Sequence, residues 1–347
     1  MSTNQQQPTE PHQSLKRRLT WVMISLALTP VLIVGLFGHQ QTNKSLQEEI
    51  FNSLDQTSEM AIHVIHDWFM VRQVDIESLA ATRLAAPILQ QLTTLLEQSD
   101  RTTLETLSDE SAIAIASFPR EMFLGHQTRY DYVDGIYLIS RQGDVVLSTN
   151  QGKEWGINLN QKEFANTNFS RTVFKVMEKG ITQFSDLELW LDQADHYSGF
   201  FISPIFDRQR NVIGAMAIQA DLEAMMNGFQ NILHRDQWRY IVGRDGFLRT
   251  SSHTRDRGRI EVNSTLVDEW RGANTSHSEF DTPKFYTSHT GHDVIGTVRD
   301  IQLLGIHWAL ISEVEQSTAF AAVNKLSTLA AGILFLTALI TTLLIQS

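Results

Sequence analysis

Two stretches of the chain are apolar without interruption: residues 20–38, TWVMISLALTPVLIVGLFG, and residues 326–345, LSTLAAGILFLTALITTLLI. The first, as a helix, rises about 28 Å, close to the hydrocarbon thickness of a bilayer. Between the two runs the pattern changes period. From His39 to about Leu84, apolar residues recur at helical spacing (Leu46, Ile50, Leu54, Ala61, Ile65, Trp68, Ile76, Leu79, Ala80), with no Pro or Gly before Pro87. One long helix is therefore expected to continue out of the first apolar run. Its stripe could pack on its own domain or form a seam with a second copy. Ser99 or Asp100 is a candidate cap for a further helix reaching about Phe118.

After Tyr132 the period becomes two. VDGIYLISRQGDVVLSTN reads as strand, glycine turn, strand, and ANTNFSRTVFKVMEKG as a helix closed by Gly180. SGFFISPIFDRQRNVIGAMAIQADL gives another strand pair, with LEAMMNGFQNIL as a following helix. WRYIVGRDGFLRTSS then restarts the pattern, and HDVIGTVRDIQLLGIHWALISEVE adds two strands before a helix from about Gln316. The pairs around RQGD and GRDG suggest an internal structural repeat.

Charge places the chain. Lys16, Arg17 and Arg18 precede the first run and only Lys44 follows it closely, which puts the N-terminus in the cytoplasm and residues 39–325 outside. A cleaved signal peptide is the rival for that run, but the run is long and GLFGHQ lacks a small-x-small cleavage site. Pro30 is tolerable in a membrane helix. The chain stops at Ser347, just past the second run, so the expectation is a receptor whose output module is cut off. A complete protein with two anchors is the alternative. A net charge of −11 argues against a nucleic-acid surface, and the absence of cysteine excludes disulfides and thiolate metal sites.

The order of these elements, with SGFFISPIFD, VIGAMAIQADLEAM, YIVGRDGFLRTSS and WALISEVEQSTAFAAV, resembles the double Cache domain of bacterial receptors. The resemblance implies an α/β (α+β) fold: a long N-terminal helix and two PAS-like modules with antiparallel sheets, flanked by two transmembrane helices. The implied boundaries are a cytoplasmic tail at 1–19, spans at 20–38 and 326–345, and a periplasmic sensor at 39–325. Within the sensor, the long helix covers 39–85, the distal module 86–233 and the proximal module 234–315. The implied function is non-enzymatic: a small molecule binds the distal module of a homodimer in the bacterial inner membrane, and a helix displacement reports it to a chemotaxis, kinase or cyclase output. No cofactor is implied. A membrane-anchored adaptor holding a protein partner is the alternative.

In the amino-acid-binding branch of that family a helix carries Arg-x-Trp-Tyr, followed by Tyr-x-Asp and a closing Asp. Here the helix reads ANTNFSRTVF, Phe184-Ser185-Asp186 stands in place of Tyr-x-Asp, and Gln219 in place of the closing Asp. Without that carboxylate a ligand ammonium would be buried unpaired, so an α-amino acid is not expected. The expected pocket wall comprises Asp186 and Gln219 as polar anchors, Trp190 and Tyr197 as aromatic surfaces, and Phe201 and Ser203 on one strand face. Tyr137 would lie on the facing strand, with Arg129 and Tyr130 before it. Alternatively, the aromatic residues are core and Asp186 is a cap. His63, His66 and Asp67, and separately His289, His292 and Asp293, have metal-like spacing but no third partner fixed in sequence, and read as surface histidines. No Gly-x-Ser-x-Gly or His-Glu-x-x-His motif occurs.

Overall fold

A computed structural model describes residues 11–98, 110–150, 155–190, 197–221, 237–251, 260–272, 282–321 and scattered positions from 324 to 339. The chain divides into two compact units, Met1–Ser53 with Glu315–Ser347, and Leu54–Val314. Helix α1 (Pro11–Ala80) is 70 residues long, as the unbroken run before Pro87 leads one to expect. Among the described residues no helix is long and apolar enough to cross a membrane. Of residues 20–38, only the side chains of Val22, Thr29 and Ile33 are among those described, and much of 326–345 lies outside them.

The stripe on α1 packs against its own chain. Leu54, Ala61, Ile65, Phe69, Ile76 and Ala80 are buried, so at these positions the stripe follows the first of its two readings and packs on its own domain. Helix α2 (Ala85–Gln98) follows, with Pro87 in its first turn, where a missing N–H costs no helical bond. The candidate caps Ser99 and Asp100 lie outside the described residues. Helix α3 (Glu110–Gln127) runs past Phe118 and through Pro119, carrying the buried Phe123 into the core.

The first sheet contains β1 (Val133–Ser140), β2 (Val145–Ser148), β3 (Gln183–Phe184), β4 (Glu188–Leu189), β5 (Tyr197–Phe206) and β6 (Val212–Ala220). Its order is β2-β1-β6-β5-β3, with β4 also on β5, and its pairs are antiparallel. The second sheet holds β7 (Gln237–Gly243), β8 (Leu248–Ser251), β9 (Lys284–Thr287), β10 (Asp293–Leu303) and β11 (Ile306–Glu315), in the order β8-β7-β11-β10-β9. Helix α4 (Asn168–Lys179) covers one face of the first sheet, and α5 (Thr265–Gly272) packs with the second. The predicted helix after Asp221 lies outside the described residues.

The turns that suggested an internal repeat match in their backbone bonds. Gly143 (φ 90°) and Gly246 (φ 86°) both turn in the left-handed region that glycine favours. Gly143 N–H donates to Ser140 O and Gly246 N–H to Gly243 O, each at 2.9 Å. One strand further on, Val145 N–H meets Ile157 O and Leu248 N–H meets Ile260 O, again both at 2.9 Å.

Alternation along β5 divides the core. Phe200 and Ile202 join the cluster under α4, while Phe201 and Ile205 join the cluster along α1, which also contains Ile241, Trp308 and Leu310 of the second sheet. Helix α1 thus supplies one apolar spine to both sheets.

Candidate functional site

The α4 face of the first sheet carries a polar chain inside an aromatic cluster. Helix α4 sits there because its ends are well satisfied. Thr167 accepts from Ser170 N–H, the Glu188 carboxylate takes the Asn168 and Phe169 N–H groups at 2.6 and 2.7 Å, and Gly180 closes the helix at φ 66°. Burial pushes the Glu188 carboxyl above its usual range despite those bonds. The helix buries Phe169, Val173, Val176 and Met177 against the sheet. Phe169 stacks on Phe200 at 4.1 Å, and Trp190 stands edge-on to both, at 4.9 and 5.5 Å.

Within this cluster the Tyr137 hydroxyl donates to Gln219 Oε1 at 2.7 Å, and the Gln219 amide donates to Ser198 Oγ at 2.7 Å. Asn150 reaches the Tyr137 hydroxyl at 3.3 Å, and Gln127 reaches Asn150 Oδ1 at 3.3 Å. Gly135 keeps room for this: a Cβ there would stand 2.5 Å from Asn150 Nδ2. The indole N–H of Trp190, a residue only 1% exposed, has no partner among the described residues. The described bonds of this chain run between hydroxyls and amides, with no carboxylate in it.

Of the nine expected wall residues, the structure brings together Tyr137, Trp190 and Gln219. Phe201 and Ser203 do share a strand face, but it is the opposite one. Phe201 packs on Phe69 of α1 at 5.4 Å, and Ser203 lines a cleft of about 660 Å3 with Gln73, Glu77, Thr82 and Arg210. Tyr197 packs against the α1-side core. Arg129 and Tyr130 are exposed at the α3–β1 corner, the Tyr130 ring lying 4.6 Å from His126 and 5.9 Å from Tyr132. Tyr132 in turn donates to Asp75 of α1. Ser198, Asn150, Gln127, Phe169 and Phe200 were not singled out in sequence. Ser198 and Phe200 could have been, because they alternate with Phe201 and must face away from α1.

Asp186 lies apart, at the junction of the two sheets. Its Oδ1 accepts from Arg249 Nε at 2.7 Å and from the Trp308 indole at 2.8 Å, and its Oδ2 accepts from Arg249 Nη2 at 2.5 Å. Burial disfavours the Arg249 charge, but Asp186 and Asp245 outweigh that and hold its pKa above the ordinary guanidinium value. Beside this pair, Phe184 N–H donates to Leu304 O at 2.9 Å, and Phe69, Phe184 and Trp308 meet with ring centroids 5.1–6.0 Å apart.

The histidine groups stay apart too. His66 and Asp67 are exposed on α1, and His289 stands edge-on to Tyr240 while His292 lies by Trp238. Among the described residues no three such side chains converge as metal ligands.

No family model matches the chain, and no curated protein sequence matches it. Solved structures do. The ligand-binding domain of the Pseudomonas fluorescens chemoreceptor CtaA, in complex with L-isoleucine, is 12% identical and superposes with a TM-score of 0.50, covering 81% of this chain and 98% of that one. The sensory domain of the Campylobacter jejuni chemoreceptor Tlp3 is 12% identical with a TM-score of 0.48, covering 79% of this chain and 97% of its own. The periplasmic sensory domain of Campylobacter jejuni Tlp1 is 14% identical with a TM-score of 0.44, over 79% and 98%. The long helix and twin antiparallel sheets thus share the fold of the CtaA domain, the kind of fold that the resemblance led one to expect.

Proposed function

We propose that residues 39–325 are the ligand-sensing region of a bacterial transmembrane receptor, binding a small molecule in the first module and transmitting a helix displacement. The observation that carries this reading is the polar chain Gln127–Asn150–Tyr137–Gln219–Ser198, buried from Tyr137 to Ser198 and set among Phe169, Phe200 and Trp190. Buried polar groups aligned inside an aromatic cluster, with an indole N–H left over, are what a small-molecule site needs. The available groups are amides, hydroxyls and an indole, so the ligand is a small uncharged polar compound. CtaA holds L-isoleucine; in this chain the family resemblance puts Gln219 where the amino-acid-binding branch has its closing Asp, and an ammonium would find no counter-charge along the described polar chain.

The apolar runs at 20–38 and 326–345 support two membrane spans, with the sensor in the periplasm. In a homodimer, the face of α1 available to a second copy is the outward one, where Met60, Val71 and Val74 are exposed. Asp186 belongs to the joint between modules, from which a displacement in the first module reaches the second.

The test is thermal melting of the full chain in detergent against small neutral polar metabolites. A ligand binding only the folded state raises the melting temperature. Gln219→Leu should abolish the rise. A full rise in Gln219→Leu would place the site elsewhere.

A further inference from the structure

We propose that the cleft beside α1 is a second ligand site, taking a small zwitterion whose ammonium and acid groups are separated by an apolar body. The cleft has a volume of about 660 Å3, in the range of small-molecule sites. The end of α1 lines one part of it, and residues 180–182, the end of β5 and the turn that follows line the rest. Each part offers one charged group, Glu77 from α1 and Arg210 from the turn, and the other lining residues carry no charge. Neither Glu77 nor Arg210 is in an ion pair among the described residues.

Glu77 stands where its own helix disfavours it. It lies in the last turn of α1, a helix end with partial negative charge, and that turn has no basic residue. Gln73 Nε2 donates to Glu77 Oε1 at 2.8 Å, which leaves the second carboxylate oxygen for another donor. A ligand ammonium placed there meets the carboxylate and the helix end together. Arg210 is presented from a braced turn. Asp207 Oδ1 accepts from the Gln209 and Asn211 N–H groups, both at 2.8 Å, and its Oδ2 from the Asn211 amide at 3.0 Å. Asp207 is thus spent on the turn, and the Arg210 guanidinium is left to a ligand carboxylate. The apolar body has its own surface: Ile181 is 52% and Phe206 39% exposed at the cleft. Beside them Thr182 Oγ1 donates to the buried Ser203 Oγ at 3.2 Å, so the Ser203 proton is left for a ligand oxygen. A compound with one charge uses one part of this lining, whereas a zwitterion uses both.

The experiment is calorimetric titration of the full chain in detergent, against a detergent blank, with 6-aminohexanoate and, separately, trialanine. Hexanoate and hexylamine serve as single-charge controls. A zwitterion is expected to bind more tightly than either control, and to weaken as salt rises. Binding of 6-aminohexanoate alone identifies an alkyl body, of trialanine alone a peptide, and of both a site that reads the two charges. Glu77→Gln and Arg210→Gln should each weaken zwitterion binding roughly tenfold, since each removes a charge-assisted bond. In Glu77→Gln the zwitterion should then bind no better than hexanoate, and in Arg210→Gln no better than hexylamine. Zwitterion affinity that survives in Gln219→Leu places this site apart from the distal one, so either can fail without the other. No heat with either zwitterion, a control that binds the natural chain as tightly, or unchanged affinity in either charge variant would overturn the proposal.

Discussion

Asp186 and Arg249, 63 residues apart in the chain, meet through both carboxylate oxygens at 2.7 and 2.5 Å and join the two modules. Arg249 is 3% exposed, so the pair lies largely out of water and is not a solvent-screened surface contact. The Trp308 indole on the same oxygen fixes the carboxylate's orientation. Such a link couples the modules because breaking it strips each half of its strongest partner.

Asp186→Asn keeps the shape and removes the charge. Arg249 would retain Asp245 at 2.9 Å, so the loss should fall short of a fully stranded guanidinium, at about 1–3 kcal/mol. Asp245 is half exposed, and Asp245→Asn should cost less than about 1 kcal/mol. Denaturant melts of the two variants check the ranking. Equal losses would mean that the pair does not hold the junction.

The duplicated turns permit a matched comparison. Alanine at Gly143 or Gly246 must adopt a positive φ, at about 1–2 kcal/mol each. At Gly143 the new Cβ would also stand 2.7 Å from Phe174 Cζ, whereas at Gly246 the nearest atom is the end of Arg271 at 3.0 Å. An arginine terminus moves more easily than a half-buried ring. Gly143→Ala should therefore melt lower than Gly246→Ala, as thermal unfolding would read directly.

In the second module the Tyr240 and Tyr286 hydroxyls both donate to Glu313 Oε1 at 2.6 Å, and Glu313 Oε2 is buried with no partner among the described residues. Burial pushes this carboxyl above its ordinary value of 4.5, and the two phenol bonds offset only part of that. The folded protein thus holds a proton here that the unfolded chain releases. Stability from this group is present below pH 4.5 and is lost as pH rises toward the raised folded pKa. Glu313→Gln, which imitates the protonated acid, should remove this dependence. The melting-temperature difference between Glu313→Gln and the natural chain should grow in the variant's favour from pH 4.5 upward. A difference that is flat with pH would show that Glu313 does not titrate as its burial implies.

The strands and α4 were legible because their signals are local: period-two alternation, a turn glycine in RQGD and GRDG, Gly180 as a helix stop. The two-residue strands β3 and β4 and the four-residue β9 are too short to show a period. The junction was not legible for another reason. Asp186 finds Arg249 and Trp308 only after two sheets have formed, and nothing in FSDLELW indicates a partner so far along the chain. The one available signal was Arg249 itself, a charged residue between Leu248 and Thr250 in the short strand β8. The division of β5 into two faces was readable from alternation, but which face meets α1 depends on the packing of Phe69 and Trp308.

The candidate distal site is tested by separating folding from binding at two of its residues. Trp190 is 1% exposed, contacts Phe169 and Phe200, and lacks space to be a movable rim, so Trp190→Ala should cost about 3–5 kcal/mol of folding stability even without ligand. Tyr137→Phe removes one oxygen and leaves the ring packed against Phe169 and Phe200, at a cost of about 1 kcal/mol. Its unliganded melt should stay near that of the natural chain, while the shift produced by a compound that stabilises the natural chain should disappear, because Tyr137 orients the Gln219 amide. Unliganded melting thus identifies Trp190 as the aromatic floor, and the ligand shift identifies Tyr137 as the polar contact. An undiminished ligand shift in Tyr137→Phe would remove the Tyr137–Gln219 chain from the binding site and direct attention to the Ser203 cleft beside α1.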